Sequence, residues 1–230
     1  MSNGTIKGTS NSETPAVMTI VYLLQAVKLA VSRGMHYWIH EQVRLERVEP
    51  FYKNMRAKRG VNADDIEQLR QRRNNIPRCR LFIRAPKEGE PTTDWWLLST
   101  APLDGERMMD ALDRQHRVTV GNFELVRLSR PGNGPCWTWR CAPDAWAQYE
   151  KKGLHLARQR DLREAREFMD QLAKWPGESG LRQQRLALFR SMSRYSNGKL
   201  EVPFLPFARF LRTRPTANIP NSSVVKEAAR

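Results

Sequence analysis

The chain has 230 residues, with 39 Lys+Arg against 24 Asp+Glu, a formal net charge of +15 and a pI near 10.4. A hydrophobic content of 40% with 9% aromatics excludes a fully disordered chain, and three Cys exclude a disulfide framework and fit a reducing, cytoplasmic setting. Arginine supplies 29 of the cations, an excess that calls for an anionic partner, nucleic acid before membrane.

Residues 1–14 are polar and read as a disordered tail. The most apolar stretch follows at 16–31 (AVMTIVYLLQAVKLAV). It is shorter than the roughly 20 apolar residues a membrane span needs, Gln25 and Lys28 interrupt it, and no basic run precedes it as in a signal peptide. Ile20, Leu24, Val27 and Val31 recur at helical spacing and predict a buried helix over 16–33. A second helix is expected over 35–49, ending before Pro50. A third covers 51–59, with Gly60 as its stop, and a fourth covers 63–74, with Asn62 as N-cap and Asp64 and Asp65 in its first turn.

The period then changes. Residues 79–85 (CRLFIRA) and 94–100 (DWWLLST) read as a hairpin, Asp104 as the cap of a short helix to about 114, and 117–130 with 136–141 as a second hairpin around the PGNGP turn. Gly121-Asn122 is either a bulge or a further tight hairpin. A long charged helix is expected from Pro143 to 174, a break at 175–180, and a last helix over 181–195 stopped by Ser196-Asn197-Gly198. The Pro/Phe-rich stretch 201–211 cannot form a central strand and is expected to dock on the domain; 212–230 reads as a disordered tail. No internal repeat of 20 to 50 residues is present. The order predicts an α+β fold: a mostly antiparallel four-stranded sheet (ββαββ) over 78–142, flanked by helices at 15–75 and 143–195, in a single basic domain spanning 15–211.

The charge is segregated. Residues 44–84 hold 12 Lys/Arg against five acids, and 181–214 hold eight against Glu201 alone. These two stretches are the expected phosphate contacts, through Lys53, Arg56, Lys58, Arg59, Arg70, Arg72, Arg73, Arg78, Arg80 and Arg84, and through Arg182, Arg185, Arg190 and Arg194, because the guanidinium fork matches phosphate bidentately and stacks on bases. The helix over 181–195 would place Leu181, Leu188, Phe189, Met192 and Tyr195 on an apolar back and Arg190 and Arg194 on the front. Trp95 and Trp96, and Trp137 and Trp139, would offer base-stacking surfaces if one sheet face were open.

Catalytic signals are thin. His36 and His40 would share a helix face as two zinc ligands do, but Tyr37 stands where the metalloprotease pattern needs Glu. Cys136 and Cys141 point to opposite faces of one strand, and no C-x-x-C exists. The PD…EKK string at 143–152 lies along one helix, which is the wrong geometry for a nuclease, and no glycine-rich phosphate loop is present. No metal and no cofactor is therefore expected. His36, His40, His116 and Tyr195 remain as candidates for metal-free RNA cleavage. The reading is a nucleic-acid-binding protein, RNA or single strands favoured, more a binder than an enzyme. Its alternatives are a metal-independent endoribonuclease or subunit of a ribonucleoprotein complex, and a structural subunit that meets an acidic protein partner.

Overall fold

The computed structural model describes residues 17–130, 132–159 and 162–205; the expected tails, and 206–211 of the Pro/Phe stretch, lie outside them. In chain order the elements are β1 (Val17–Met18), α1 (Ile20–Ser32), β2 (Tyr37–Arg44), a 3-10 turn (Leu45–Arg47), α2 (Val48–Arg59), α3 (Asp65–Arg73), β3 (Cys79–Arg84), β4 (Thr92–Ser99), β5 (Met109–Asp110), β6 (Thr119–Val120), β7 (Phe123–Arg130), β8 (Asn133–Cys141), α4 (Pro143–Gln159), α5 (Leu162–Ala173) and α6 (Ser179–Tyr195). The fold is α+β. In place of one four-stranded sheet there are two, ordered β1-β3-β4-β2-β5 and β6-β7-β8. No helix among the described residues is long and apolar enough to cross a membrane. The residues group into two compact units, 17–23 with 35–108 and 24–34 with 109–205.

In the first unit, the helix expected at 35–49 is strand β2. Tyr37, Trp38, Ile39 and Val43 are strand formers, and all eight residues of β2 pair antiparallel with β4, from Tyr37↔Ser99 to Arg44↔Thr92. The expected hairpin is present, with β3 on the other side of β4 (Cys79↔Ser99), and β1 adds in parallel to β3. One sheet face presents Ile39, Leu81, Ile83, Trp95 and Leu97 to Val48 and Tyr52 of α2 and to Val61 and Leu103. The chain leaves α2 through Gly60, at φ 57°. The cap of α3 is Asp64, whose carboxylate accepts the Glu67 N–H at 2.8 Å. Asn62 instead clasps β3, accepting the Leu81 N–H at 3.2 Å and donating to the Leu81 carbonyl at 3.1 Å. The helix expected at 104–114 is absent: Gly105 has φ 77°, and the carboxylates of Asp110 and Asp113 accept the N–H groups two residues on, which favours turns over helix.

In the second unit, Gly121-Asn122 is a tight hairpin, joining Val120 and its partner Phe123. β8 is an edge strand, and α6 covers it. The Gly180 N–H donates to Thr138 Oγ1 at 3.1 Å. Gln184 forms two bonds with the Cys141 backbone, accepting its N–H at 2.8 Å and donating to its carbonyl at 3.2 Å. The Cys141 backbone groups paired this way cannot recruit another strand. Trp139 is buried and donates its indole N–H to the Leu24 carbonyl of α1 at 2.7 Å, and Lys28 of α1 reaches Glu178 at 2.6 Å.

The long helix expected at 143–174 is two, α4 and α5. With α6 they enclose Leu156, Ala157, Ala165, Phe168, Met169, Leu172, Leu188, Phe189 and Met192. Within this bundle Arg185 is fully buried. Its guanidinium donates to the carbonyls of Leu172 (2.9 Å), Ala173 (3.2 Å), Trp175 (3.0 Å) and Pro176 (3.0 Å), and its Nε to Leu181 (3.2 Å). The last carbonyls of a helix have no intrahelical donors; at the end of α5 this side chain serves Leu172 and Ala173, and the Trp175 N–H adds a second donor to Leu172 at 3.1 Å. Burial, with Arg182 nearby, pulls its pKa down to about 10, so it keeps its charge at neutral pH.

Substituting Arg185 by Met leaves the Ala173, Trp175 and Pro176 carbonyls without this donor and is expected to destabilise the protein by about 3 kcal/mol in urea unfolding, with no rescue by Lys, whose three donors lack the planar fork. An unchanged urea midpoint in the Met variant would remove this role. The glycines differ in kind. A Cβ at Gly180 would lie 2.6 Å from the Trp139 carbonyl oxygen, whereas one at Gly153 would meet only side-chain atoms, Phe168 Cε1 at 2.9 Å and Met192 Sδ at 3.0 Å. Gly180→Ala should therefore destabilise by about 1–3 kcal/mol. Gly153→Ala, with about 1 kcal/mol of helix propensity in its favour, should cost clearly less.

Candidate nucleic-acid interface

The sequence-predicted cations separate into two kinds. Several are engaged within the protein. Arg185 is the buried scaffold group described above and is corrected from phosphate contact to structural residue. Arg84 lies between Glu90 (2.7 Å) and Asp94 (2.8 Å), and Arg59 between Glu106 (3.0 Å) and the Asp104 carbonyl (3.0 Å). Arg182 donates to the Leu205 carbonyl at 3.1 Å, Lys53 pairs with Glu49 at 2.9 Å, and Arg70 lies 3.5 Å from Glu67. Arg80 is half-buried on β3. The other kind comprises Arg56, Lys58, Arg72, Arg73, Arg78, Arg190 and Arg194, none of which has a carboxylate within ion-pair distance among the described residues.

Of these, Arg190 and Arg194 have the clearest setting. They stand one turn apart on the exposed face of α6 and, with Ala187, Ser191, Ser193 and Val202, line a groove of about 510 Å³. The Arg194 guanidinium donates to Ser191 Oγ at 3.2 Å, which orients it along this face. At the end of α6, Tyr195 is about half exposed rather than part of the apolar back. The Arg158 guanidinium of α4 lies 4.7 Å from its ring centroid, a cation–π arrangement. The Arg158 contact spans 37 residues of sequence, and no local pattern announces it.

The tryptophans correct an expectation. Trp95, Trp96 and Trp139 are buried, so they are core and not stacking surfaces; Trp137 is half-buried on β8. Both faces of the larger sheet carry apolar residues, so neither Trp95 nor Trp96 meets solvent: Trp95 packs on Phe51 of α2, and Trp96 is covered on its own face.

The catalytic candidates are also placed. His40 is not on a helix with His36 but on β2, where its ring stacks on Trp96 at 4.5 Å and its Nε2 lies 3.4 Å from Asp94. His36 is half-buried just before β2, and His116 is exposed with its Nδ1 2.7 Å from Asp113. Among the described residues no three His, Cys, Asp or Glu are gathered as metal ligands. Burial raises the pKa of the Cys79 thiol, and burial with Glu124 nearby pushes that of Cys141 up to about 11, so neither is a thiolate nucleophile at neutral pH. No family model, no curated protein and no solved structure matches the chain.

Asp94 joins Arg84, Gln42 and His40 at the rim of the first sheet. Burial pushes its carboxyl up, but hydrogen bonds from Gln42 and Arg84 and the charge of Arg84 more than offset this and hold it below its ordinary value. A depressed carboxyl contributes stability that is present above its unfolded pKa and lost as pH falls through its folded one. Replacing Arg84 by Met removes its hydrogen bond and charge while the Gln42 hydrogen bond remains; it should raise the Asp94 pKa, shift acid unfolding to higher pH and cost about 1–3 kcal/mol at pH 7. Carboxyl carbon NMR titration of Asp94 measures this; an unmoved titration would mean that the pair does not set its ionisation.

Proposed function

We propose that this protein binds nucleic acid, with the outer face of α6 as a phosphate-binding track and Tyr195 as a stacking surface beside it. The observation that supports this reading is the groove lined by Arg190 and Arg194, two cations without a carboxylate partner among the described residues, on a helix whose opposite face is locked into a core. Four residues separate them, about 6 Å along the helix axis, so both guanidinium groups can meet successive anionic groups of one chain. Ser193 lines the same groove, while the Ser191 hydroxyl donates to the Ala187 carbonyl at 3.1 Å and accepts from Arg194. Tyr195, held against Arg158, presents its outer edge and face to a base. An unpaired base suits such a surface best, which keeps RNA or single strands as the preferred ligand.

Salt decides the matter. Binding of a fluorescent 20-nucleotide single strand should weaken by orders of magnitude between 50 and 200 mM salt, as expected for several phosphate contacts. The double variant Arg190→Ala/Arg194→Ala should bind about tenfold more weakly at low salt, with a log–log salt slope smaller by about 1.5. Arg163→Ala, which removes an exposed cation paired with Glu167, should change neither. Wild-type affinity and slope in the double variant would rule out the α6 track.

A further inference from the structure

α3 is inside out. Ile66, Leu69 and Ile76 are 68%, 48% and 51% exposed, while Gln71 is buried to 5%. Ile66, Leu69 and Arg73 follow i, i+3, i+7 spacing and so share one face, and Gln71 lies on the other. A helix of a free-standing protein shows the reverse polarity. The buried side is a poor anchor as well, since the Gln71 Oε1 has no hydrogen-bond partner in the structure.

Polar end contacts hold α3 in place instead. Asp64 caps its start, and Gln68 donates to the Ala63 carbonyl at 2.7 Å. At its end Asn75 has φ 54°, the Asn75 N–H reaches the Arg72 carbonyl (3.4 Å) and the Ile76 N–H reaches that of Gln71 (2.9 Å). This is a Schellman motif. Such a motif usually folds its last apolar residue back onto the helix, but here the helical position it would touch is Gln71, and Ile76 is left in solvent. The three apolar side chains are thus displayed from a rigidly terminated turn of helix.

The charge around them identifies the occupant. Arg70, Arg72 and Arg73 are all exposed, and Arg72 and Arg73 have no carboxylate partner among the described residues. A second copy of the chain would bring the same three cations against themselves. A phosphate backbone would satisfy the arginines and leave the isoleucines and leucine in water. A surface that is both apolar and acidic satisfies both. We propose that the outer face of α3 docks an acidic amphipathic segment of a partner protein, whose apolar side chains cover Ile66, Leu69 and Ile76 and whose carboxylates pair with Arg70, Arg72 and Arg73. This site shares no residue with the α6 track and does not depend on it.

The test is selection of displayed random 16-residue peptides on the full-length chain. Ile66→Ser/Leu69→Ser serves as the control; it leaves the charge unchanged and, the residues being exposed, should leave the urea midpoint unchanged. The expected result is enrichment of peptides that combine Asp/Glu with Leu, Ile or Phe. They should bind the wild type at least tenfold more tightly than the control or Arg72→Gln/Arg73→Gln, and the 20-nucleotide strand should bind the Ser variant as well as the wild type. Any of these outcomes would overturn the proposal: no enrichment above background, enriched peptides without acidic residues, equal binding to the variants, or a wild-type dimer in sedimentation that the Ser variant dissociates. A loss of strand binding in the Ser variant would likewise overturn it, and would give this face to nucleic acid; loss confined to the Arg190/Arg194 variant bears on the α6 track alone.

Discussion

The second unit depends on one buried cation. Arg185 ties the end of α5, the turn that follows it and the first turn of α6 into a single hydrogen-bonded knot, with the Leu172, Ala173, Trp175, Pro176 and Leu181 carbonyls as acceptors. A buried guanidinium is tolerable only when its donors are met and when it supplies carbonyls that lack other partners. Here its donors are met, and it supplies the Ala173, Trp175 and Pro176 carbonyls, which follow the last turn of α5. The knot fixes where α6 begins, and from there Gly180 and Gln184 seat the helix on the edge of β8. With that side of α6 committed to the core, Arg190 and Arg194 must face outward. The scaffold role of one arginine and the exposure of the other two are consequences of the same packing.

This division recurs through the molecule. Glu124 is buried between Arg117 and Arg140, Arg84 is held by Glu90 and Asp94, and Arg59 is spent on the 104–106 loop. In these places positive charge is matched locally and does structural work. The cations without a carboxylate partner among the described residues include Arg56 and Lys58 at the end of α2, Arg72 and Arg73 at the end of α3, and Arg190 and Arg194 on the outer face of α6. These places differ in chemistry. On α6 the arginines share a groove with hydroxyls and an aromatic ring, which suits a phosphate chain. On α3 they surround exposed isoleucine and leucine, which suits an acidic protein surface.

Much of the fold follows from local rules. The hairpin of β3 and β4, the turn between β7 and β8, the stop at Gly60 and the apolar back of α6 through Leu181, Leu188, Phe189 and Met192 follow from turn chemistry and periodicity, and the structure has them. The misses have non-local causes. Residues 37–44 fit helical spacing on their own and become a strand because β4 offers a partner along its whole length. That conversion also separates His36 from His40 and removes the shared helix face. Trp95, Trp96 and Trp139 alternate as strand residues should, but alternation cannot show that both sides of a strand are covered. Arg185 sits in a run of basic residues and resembles its neighbours; only the carbonyls gathered from 172 to 176 distinguish it. Gln71 and Ile66 have the composition of an ordinary helix, and nothing but the packing reveals that the polar residue lies inside.

Arginine-selective dicarbonyl labelling read by mass spectrometry, with and without a bound 20-nucleotide single strand, tests the central division most directly. Arg190 and Arg194 should label readily in the free protein and be protected by the strand, while Arg185 should stay unlabelled in both states. A strand that binds yet leaves Arg190 and Arg194 as reactive as before, or an Arg185 that labels in the folded protein, would contradict the account.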